Sequence, residues 1–229
     1  MPADVDLAVA AAKKAFNSKW SHSSNFYQRR QVLLNCADNL EKHLEAIATI
    51  NSFENGKPMW EATRETKLAV NHVRSLAGRA DKIKQEKFSH ESAVGFTKRH
   101  PIGVCAGICP WNFPVVMPIW KIIGVLATGC TTVLKPSELT PLCALKLAEI
   151  LVESGMPEGV VNIVPGFGHD AGEALINHVD VAKISFTGST KVGKHIHSVA
   201  SATLKRVTLE LGGKTPLIIS NKADIDKAV

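Results

Sequence analysis

Glu210 is the first residue in this sequence whose type and position suggest chemistry. It lies in the run Arg206–Leu211, where apolar and polar residues alternate as they do in a half-buried strand. Two glycines, Gly212 and Gly213, then end that strand. A carboxylate at the end of a strand lies where open α/β sheets bind their ligands. The alternative is a glutamate that only interacts with solvent at the turn.

A second group follows an earlier predicted strand, in the sequence Pro110-Trp111-Asn112-Phe113-Pro114. The two prolines restrict the backbone on either side of Asn112. The side-chain amide of Asn112 can therefore donate a hydrogen bond to an oxyanion that develops during a reaction. The alternative is a structural asparagine that completes a turn.

A third group, Lys135-Pro136-Ser137-Glu138, follows another predicted strand. A lysine and a glutamate at this position can bind a ribose, because the carboxylate accepts hydrogen bonds from paired hydroxyls. The same carboxylate repels a 2′-phosphate. Alternatively, Ser137 or Glu138 caps a helix that begins near Pro141.

The fourth group, Gly188-Ser189, joins a predicted strand to a predicted helix. Free N–H groups at the start of that helix would face a ligand; Gly188 permits close approach, and Ser189 can donate to a phosphate oxygen. The alternative is a serine that caps the helix. The run Gly166–Ala171 also fits G-x-G-x-x-A, but Phe186 stands where the dinucleotide fingerprint has an acid. We therefore interpret that run mainly as a tight turn that needs glycine.

Strands and helices alternate along the chain from Pro101 onward. The predicted strands are 102–108, 130–134, 160–164, 182–186, 206–211 and 217–220, and the predicted helices are 115–127, 141–153, 171–177 and 191–202. This order predicts an α/β fold with a doubly wound, mostly parallel, Rossmann-like sheet. The carboxyl ends of parallel strands meet at one edge, so the four groups are expected to form one cofactor site.

The first hundred residues have a different character. Asp4 or Asp6 can cap a helix that runs to about Phe16, residues 26–54 predict one or two amphipathic helices, and Pro58 starts another helix. Residues 80–100 predict an exposed hairpin or linker that can pack on another subunit. We therefore expect an N-terminal helical part at 1–79, an oligomerisation arm at 80–100 and a Rossmann-like core at 101–229.

The composition argues against several function classes. The chain is 45% hydrophobic with 16 Gly and 11 Pro, which is typical of a globular protein. Its net charge of +6 comes from scattered Lys and Arg, so we expect no nucleic-acid partner. No apolar run is long enough to cross a membrane, and the 5 cysteines form neither a C-x-x-C pair nor a metal site. Reduced thiols predict a cytoplasmic location; a mitochondrial one is the alternative, because a transit peptide can precede Met1 in a longer form.

Several motifs occur in an order that resembles a known family: E-N-G-K-P, P-W-N-F-P, K-P-S-E, F-T-G-S-T-x-V-G and T-L-E-L-G-G-K. Together they resemble the NAD(P)-dependent aldehyde dehydrogenase superfamily, and most closely its broad-specificity, class 1/2-like members. Members of that family oxidise aldehydes to carboxylic acids. A cysteine thiolate attacks the carbonyl, hydride passes to the nicotinamide, and a general base activates water.

The resemblance implies a role for each of the four groups. Glu210 would be the general base and Asn112 the oxyanion donor. Lys135 and Glu138 would bind the adenine ribose, which favours NAD over NADP. The other residues implied to contact the cofactor are Cys109, Pro110, Trp111, Asn112 itself, Pro136, Ser137, Gly168, His169, Gly188, Ser189, Val192, Leu211 and Gly212.

One departure from the family concerns the nucleophile. The family's nucleophilic cysteine follows the E-L-G-G-K glutamate, whereas all five cysteines of this sequence precede Glu210, and Cys109 is the nearest substitute. We therefore expect this chain to supply the cofactor-binding half of an aldehyde dehydrogenase without its catalytic domain, and to be inactive alone. The alternative is a non-catalytic protein that binds NAD, forms a homo-oligomer or associates with full-length subunits.

Overall fold

A parallel five-stranded sheet lies at the centre of the protein, in a computed structural model that describes residues 2–228. In chain order the strands are β1 (Lys87–His90), β2 (Ala93–Phe96), β3 (Val104–Ile108), β4 (Thr131–Lys135), β5 (Val161–Ile163), β6 (Val181–Gly188) and β7 (Arg206–Leu211). The sheet has the order β5-β4-β3-β6-β7, and each neighbouring pair in it is parallel. The predicted doubly wound α/β fold is confirmed.

Helices cover both faces of this sheet. They are α1 (Pro2–Phe16), α2 (Phe26–Lys42), α3 (Leu44–Asn55), α4 (Met59–Ala77), α5 (Val116–Ala127), α6 (Leu142–Glu153), α7 (Glu173–Asn177), α8 (Thr190–Ser201) and the short α9 (Ile225–Ala228). One apolar core joins Leu134 of β4 to helices α2–α6. A second core joins Val133, the preceding residue, to α1, α7 and α8. Because successive side chains of a strand point to opposite faces, β4 serves both cores.

The residues of β3 and β4 are buried throughout, as expected for central strands covered on both faces. Helix α5 owes its position to the same rule: its sequence is almost entirely apolar, and Ile119, Ile122 and Leu126 are fully buried between the sheet and α4. This packing fixes where α5 begins, and α5 begins directly after the Pro110–Pro114 segment.

The direction of winding reverses at β3. From β3 the chain runs outward to β4 and then β5, and it returns across the sheet to β6 on the other side of β3. The loops that follow β3 and β6 therefore leave toward opposite faces. The carboxyl ends of these two strands border the crevice in which doubly wound sheets bind ligands.

Two local predictions were wrong. Residues 217–220 form no strand; Leu217 and Ile218 are 84% and 88% exposed, because apolar residues of high strand propensity form no ladder without a neighbouring strand. Helix α1 begins at Pro2, whose fixed φ suits a first helical turn, so Asp4 lies within that turn and neither Asp4 nor Asp6 is the cap. The predicted helix 171–177 is present as α7, which begins two residues later than predicted and follows a π-helical turn, Gly168–Gly172.

The segment 80–100 contains the antiparallel hairpin β1–β2, in which Lys87 pairs with Phe96. Phe88, Val94 and Phe96 are 60%, 60% and 72% exposed, respectively. The hairpin is therefore an apolar projection that lies outside both cores. Its role as an oligomerisation arm stays a prediction.

Candidate functional site

The predicted site residues lie at one edge of the sheet and at nearly one level. Ile108, the last residue of β3, pairs with Lys135 on one side and with Phe186 on the other. One residue further along, Thr187 of β6 pairs with Glu210 of β7. The loops after β3, β4 and β6 and the carboxylate of β7 therefore surround the same carboxyl edge.

Asn112 lies in the loop between β3 and α5, and it is exposed. Among residues 2–228 its side chain makes no hydrogen bond, so the amide N–H groups are available to a ligand. Within residues 2–228 the side chain therefore does not complete a turn through a hydrogen bond of its own. The carbonyl of the preceding Trp111 is fixed, since Asn55 Nδ2 donates to it at 2.7 Å.

Lys135 and Glu138 form an ion pair with 3.5 Å between Nζ and Oε2. The side chain of Lys135 is only 4% exposed, and its Nζ also donates to the carbonyls of Pro136 and Gly166, each at 2.7 Å. Burial lowers the pKa of Lys135, and the neighbouring carboxylate of Glu138 opposes that shift. Lys135 therefore orients Glu138 and fastens two loops, while the carboxylate of Glu138 stays accessible at the surface.

The alternative role for Ser137 or Glu138, a cap on α6, is wrong. Ser137 Oγ accepts from the backbone N–H of Leu139 and closes a local turn. The cap on α6 comes from Glu54, whose two carboxylate oxygens accept from Leu142 N at 2.7 Å and Cys143 N at 3.0 Å. A carboxylate from a distant segment suits the positive end of the helix better than a nearby serine does.

Gly188 and Ser189 lead into the start of α8. Ser189 Oγ accepts from Val192 N at 3.3 Å, so the serine is the N-cap of α8, as the alternative interpretation proposed. Its hydroxyl proton remains able to donate to a ligand. Val192, in the first turn of α8, is 44% exposed.

The start of α8 also approaches the end of β7 closely. A Cβ at Gly193 would lie 2.5 Å from Leu211 Cδ2, so the glycine lets Leu211 pack against the helix. The hydroxyl of Thr190 donates to the carbonyl of Gly212 at 3.5 Å. Leu211 and Gly212 thus lie beside the amide groups of the first turn of α8.

The Gly166–Ala171 run lies at the carboxyl end of β5. Gly166 has a φ of 156°, whereas Gly168 has no positive φ and a Cβ there would meet no atom within 4 Å. Glycine is therefore needed at position 166 and not at position 168. His169 is exposed and its ring stacks on Phe167 with the ring centroids 5.4 Å apart.

Lys121 is a site residue for which the sequence suggested no role. Its Nζ donates to Ser185 Oγ at 3.1 Å and to Thr187 Oγ1 at 3.0 Å, on the face of β6 that adjoins Glu210. Burial lowers the pKa of Lys121, and the carboxylate of Glu210 is among the charges that oppose this shift. The available signal was that Lys121 is the single charged residue in the apolar sequence of α5.

Neither Cys109 nor Cys130 is suited to act as a nucleophile at this edge. Cys109 lies beside the site, but burial raises its pKa to about 12, so it is a neutral thiol at physiological pH. Cys130 has a pKa lowered to about 6, chiefly by the hydrogen bond from Cys105. Cys130 precedes Thr131, the first residue of β4, and therefore lies at the opposite end of the strand.

The described residues contain neither a candidate metal site nor a membrane-spanning helix. Between residues 2 and 228, no three His, Cys, Asp or Glu side chains are grouped so that they could hold a metal ion. In the same range, no helix combines the length and the apolar character needed to span a bilayer.

Comparison with known proteins gives a consistent result. Residues 1–229 match the model of the aldehyde dehydrogenase family. A mitochondrial aldehyde dehydrogenase from Leishmania tarentolae is 47% identical over 229 residues, which cover 99% of this chain and 46% of that relative. The NAD+ complex of an aldehyde dehydrogenase from Bacillus cereus superposes with a TM-score of 0.93 at 43% identity, covering 99% of this chain and 47% of that one.

A second solved structure, PnpE in complex with nicotinamide adenine dinucleotide, has a TM-score of 0.94 and 44% identity, again over 99% of this chain and 47% of the other. The chain therefore spans about half the length of the aldehyde dehydrogenases that it matches. The family match, the sequence identity and the fold all agree with the motifs found in the sequence. This chain belongs to the aldehyde dehydrogenase family.

Proposed function

We propose that this chain supplies the NAD-binding half of an enzyme that oxidises aldehydes to carboxylic acids. The observation that carries this proposal is the convergence of the loops after β3, β4 and β6 with Glu210 at the point where the sheet reverses its winding. The two solved relatives that hold the dinucleotide support the choice of cofactor.

The chemistry of the edge fits a dinucleotide. The exposed carboxylate of Glu138 suits the paired hydroxyls of a ribose, and the first turn of α8 after Gly188-Ser189 suits a pyrophosphate. A carboxylate at the ribose position disfavours a 2′-phosphate, so we propose NAD rather than NADP. Bound NAD would supply the acceptor for the hydride that leaves the aldehyde carbon.

Contacts of the other cofactor residues follow from their positions. We propose that Cys109, Pro110 and Trp111 line the side toward β3 and that Gly168-His169 lies toward the β5 side. Pro136 and Ser137 would hold the loop that presents the Glu138 carboxylate to the ribose. Val192, Leu211 and Gly212 would close the side toward β7.

Two residues of the chain would act on the reacting atoms. Glu210, exposed at the end of β7, would take a proton from water, and the free amide of Asn112 would donate to the developing oxyanion. Lys121, held by Ser185 and Thr187, would contribute a positive charge near the carboxylate of Glu210. The substrate class is a small-molecule aldehyde.

The nucleophilic thiolate is the part that this chain does not supply in our proposal. Cys109 is a buried neutral thiol, and the acidic Cys130 lies at the wrong end of β4. We therefore expect the chain to bind NAD without turning over aldehydes. We extend the proposal to a cytoplasmic location on the ground that all five cysteines are free.

Association with another subunit is a second candidate function. It is favoured by the β1–β2 hairpin, whose Phe88, Val94 and Phe96 side chains project into solvent. Apolar side chains on a projecting hairpin are typical of a surface that a partner covers. We propose a second copy of this chain or a full-length relative as that partner.

The test of the main proposal is a calorimetric titration of the purified chain with NAD. A Gly188→Glu variant serves as the disrupted site, because a carboxylate there would repel the pyrophosphate and its Cβ would lie 2.5 Å from Phe186 Cζ, which must move. We expect saturable binding by the parent chain, at least about tenfold weaker binding by the variant, and no aldehyde-dependent NADH from either. Equal affinity of the two proteins would refute this placement of the cofactor.

A further inference from the structure

The turn between α3 and α4, Glu54–Lys57, touches both loops that border the proposed ribose and oxyanion positions. Its backbone is fixed by Gly56, which has a φ of 79° and donates its N–H to Ser52 O at 3.0 Å. Ser52 Oγ donates in turn to the carbonyl of Lys57 at 2.6 Å. The turn is therefore a rigid platform that does not itself lie on the sheet.

One side of this platform holds the loop that carries Asn112. Asn55 Nδ2 donates to the carbonyl of Trp111 at 2.7 Å, and Lys57 Nζ lies 4.2 Å from the centre of the Phe113 ring. These two contacts involve the residues immediately before and after Asn112. The backbone of Asn112 is thereby fixed while its side chain stays free.

The other side of the platform holds the start of α6, which follows the Lys135–Glu138 loop. Both carboxylate oxygens of Glu54 accept from backbone N–H groups there, at Leu142 and Cys143. The two loops also touch directly, since Thr140 Oγ1 donates to the carbonyl of Trp111 at 3.4 Å. One oxygen, that of Trp111, thus receives donors from both the platform and the neighbouring loop.

We propose that Glu54, Asn55 and Lys57 are positioning residues that hold the Asn112 loop and the Glu138 loop in one relative arrangement. The consequence rests on the proposed function: a dinucleotide must meet both loops at once, and errors of a fraction of an ångström at either one weaken binding or misplace the oxyanion donor. None of the three residues needs to touch the cofactor to have this effect.

The test compares Asn55→Asp with the parent chain. The aspartate keeps the size of the side chain but replaces the donating amide with a carboxylate that faces the Trp111 carbonyl. The amides that can report on residues 110–116 are those of Val115 and Val116, which donate to Glu65. We expect their hydrogen–deuterium exchange, measured without NAD, to become about tenfold faster, since roughly one hydrogen bond that holds the preceding loop is lost. NAD affinity should fall about three- to tenfold.

Two further variants make the test specific. Asn25→Asp is the matched control, because Asn25 Nδ2 donates to Lys19 O at 3.0 Å far from this edge; its exchange in residues 110–116 should equal that of the parent. Glu54→Ala should accelerate exchange at the start of α6 and also in residues 110–116. An Asn55→Gln variant retains the amide donor, so exchange in its residues 110–116 should stay close to the parent rate.

The possible outcomes separate this inference from the proposed function. If the parent chain fails to bind NAD but Asn55→Asp still loosens residues 110–116, the proposed function fails and the positioning role stands. If Asn55→Asp and Glu54→Ala leave exchange in residues 110–116 at the parent rate, the positioning role is overturned. The same conclusion follows if Asn25→Asp accelerates that exchange equally, because the effect would then be a general loss of stability.

Discussion

Glu65 is the residue whose replacement tests the packing behind the site most sharply. Its carboxylate lies on α4, is 2% exposed, and pairs with Lys57 Nζ at 2.5 Å. It also accepts from Asn51 Nδ2 and from the backbone N–H groups of Val115 and Val116, each at 2.9 Å. One buried side chain therefore caps α5 and neutralises a buried lysine.

The expected cost of Glu65→Gln follows from these contacts. The isosteric amide leaves the ammonium of Lys57, which is 9% exposed, without its counterion. Breaking a buried pair in this way costs about 3–5 kcal/mol. We expect a cost at the lower end of this range, because the amide oxygen of the glutamine can still accept from the N–H groups of Val115 and Val116. In addition, Asn51 Oδ1 has no partner within residues 2–228, and a flip of the Asn51 amide lets this oxygen accept from the new N–H₂ group.

The assay is urea unfolding followed by circular dichroism. We expect the free energy of unfolding to fall by about 3 kcal/mol and the melting temperature to fall by roughly 6–12 °C in a domain of this size. Glu149→Gln is the matched control, because it removes a Lys–Glu pair of 2.8 Å whose carboxylate is 69% exposed. That change should cost no more than about 0.5 kcal/mol. A loss below about 1 kcal/mol for Glu65→Gln, at an unchanged m-value, would refute the reasoning.

Three further predictions concern other parts of the chain. Because all five cysteines are buried, iodoacetamide should label the folded chain slowly; Cys130, which borders a cavity and has its pKa lowered to about 6, should react first and faster as the pH rises through that value, whereas faster labelling of Cys109, seen by mass spectrometry of the peptides, would contradict this. Glu138→Gln should weaken NAD about tenfold in calorimetry and leave NADP nearly unchanged, whereas equal losses for both would argue against a ribose contact. Arg29→Met should cost about 3 kcal/mol in urea unfolding, because Arg29 donates to the carbonyls of Trp20, His22 and Ala127; a near-neutral change would show that water replaces the guanidinium.

The fold could be predicted from the sequence because its signals are local. Alternating apolar runs and helix starts located the five strands of the sheet to within one or two residues, and the β-α-β order gave parallel pairing. The segment 217–220 shows the limit of that reasoning. Its apolar run has the composition of a strand, but pairing depends on a neighbouring strand that composition does not reveal.

The edge that holds the candidate site could also be predicted, but not the contacts that shape it. Asn112, Glu138 and Glu210 lie at the expected strand ends, since parallel strands bring their carboxyl ends together. The cap of α6 by Glu54 was not foreseen, because a serine and a glutamate stand much closer to α6 in sequence. Such long-range capping depends on how α3 packs against α4 and α6.

Lys121 illustrates a second kind of miss. Its position in α5 follows from helical spacing, but its hydrogen bonds to Ser185 and Thr187 depend on the pairing of β3 with β6 across the winding reversal. A single lysine in an apolar helix more often extends its head to water than toward a sheet. Only tertiary packing determines whether the ammonium group of Lys121 lies in water or against the sheet.

A crystal structure of the chain with NAD tests the central claim most directly. We expect NAD to bind with its adenine ribose beside Glu138, its pyrophosphate at the start of α8 and its nicotinamide between Asn112 and Glu210. The main competing location is the neighbouring cavity of about 950 Å³ between α5 and the sheet, which is lined by Lys183 and Arg206 and shares Lys121 and Ser185 with the candidate site. Cofactor density in that cavity, with none at the carboxyl edge, would contradict the account.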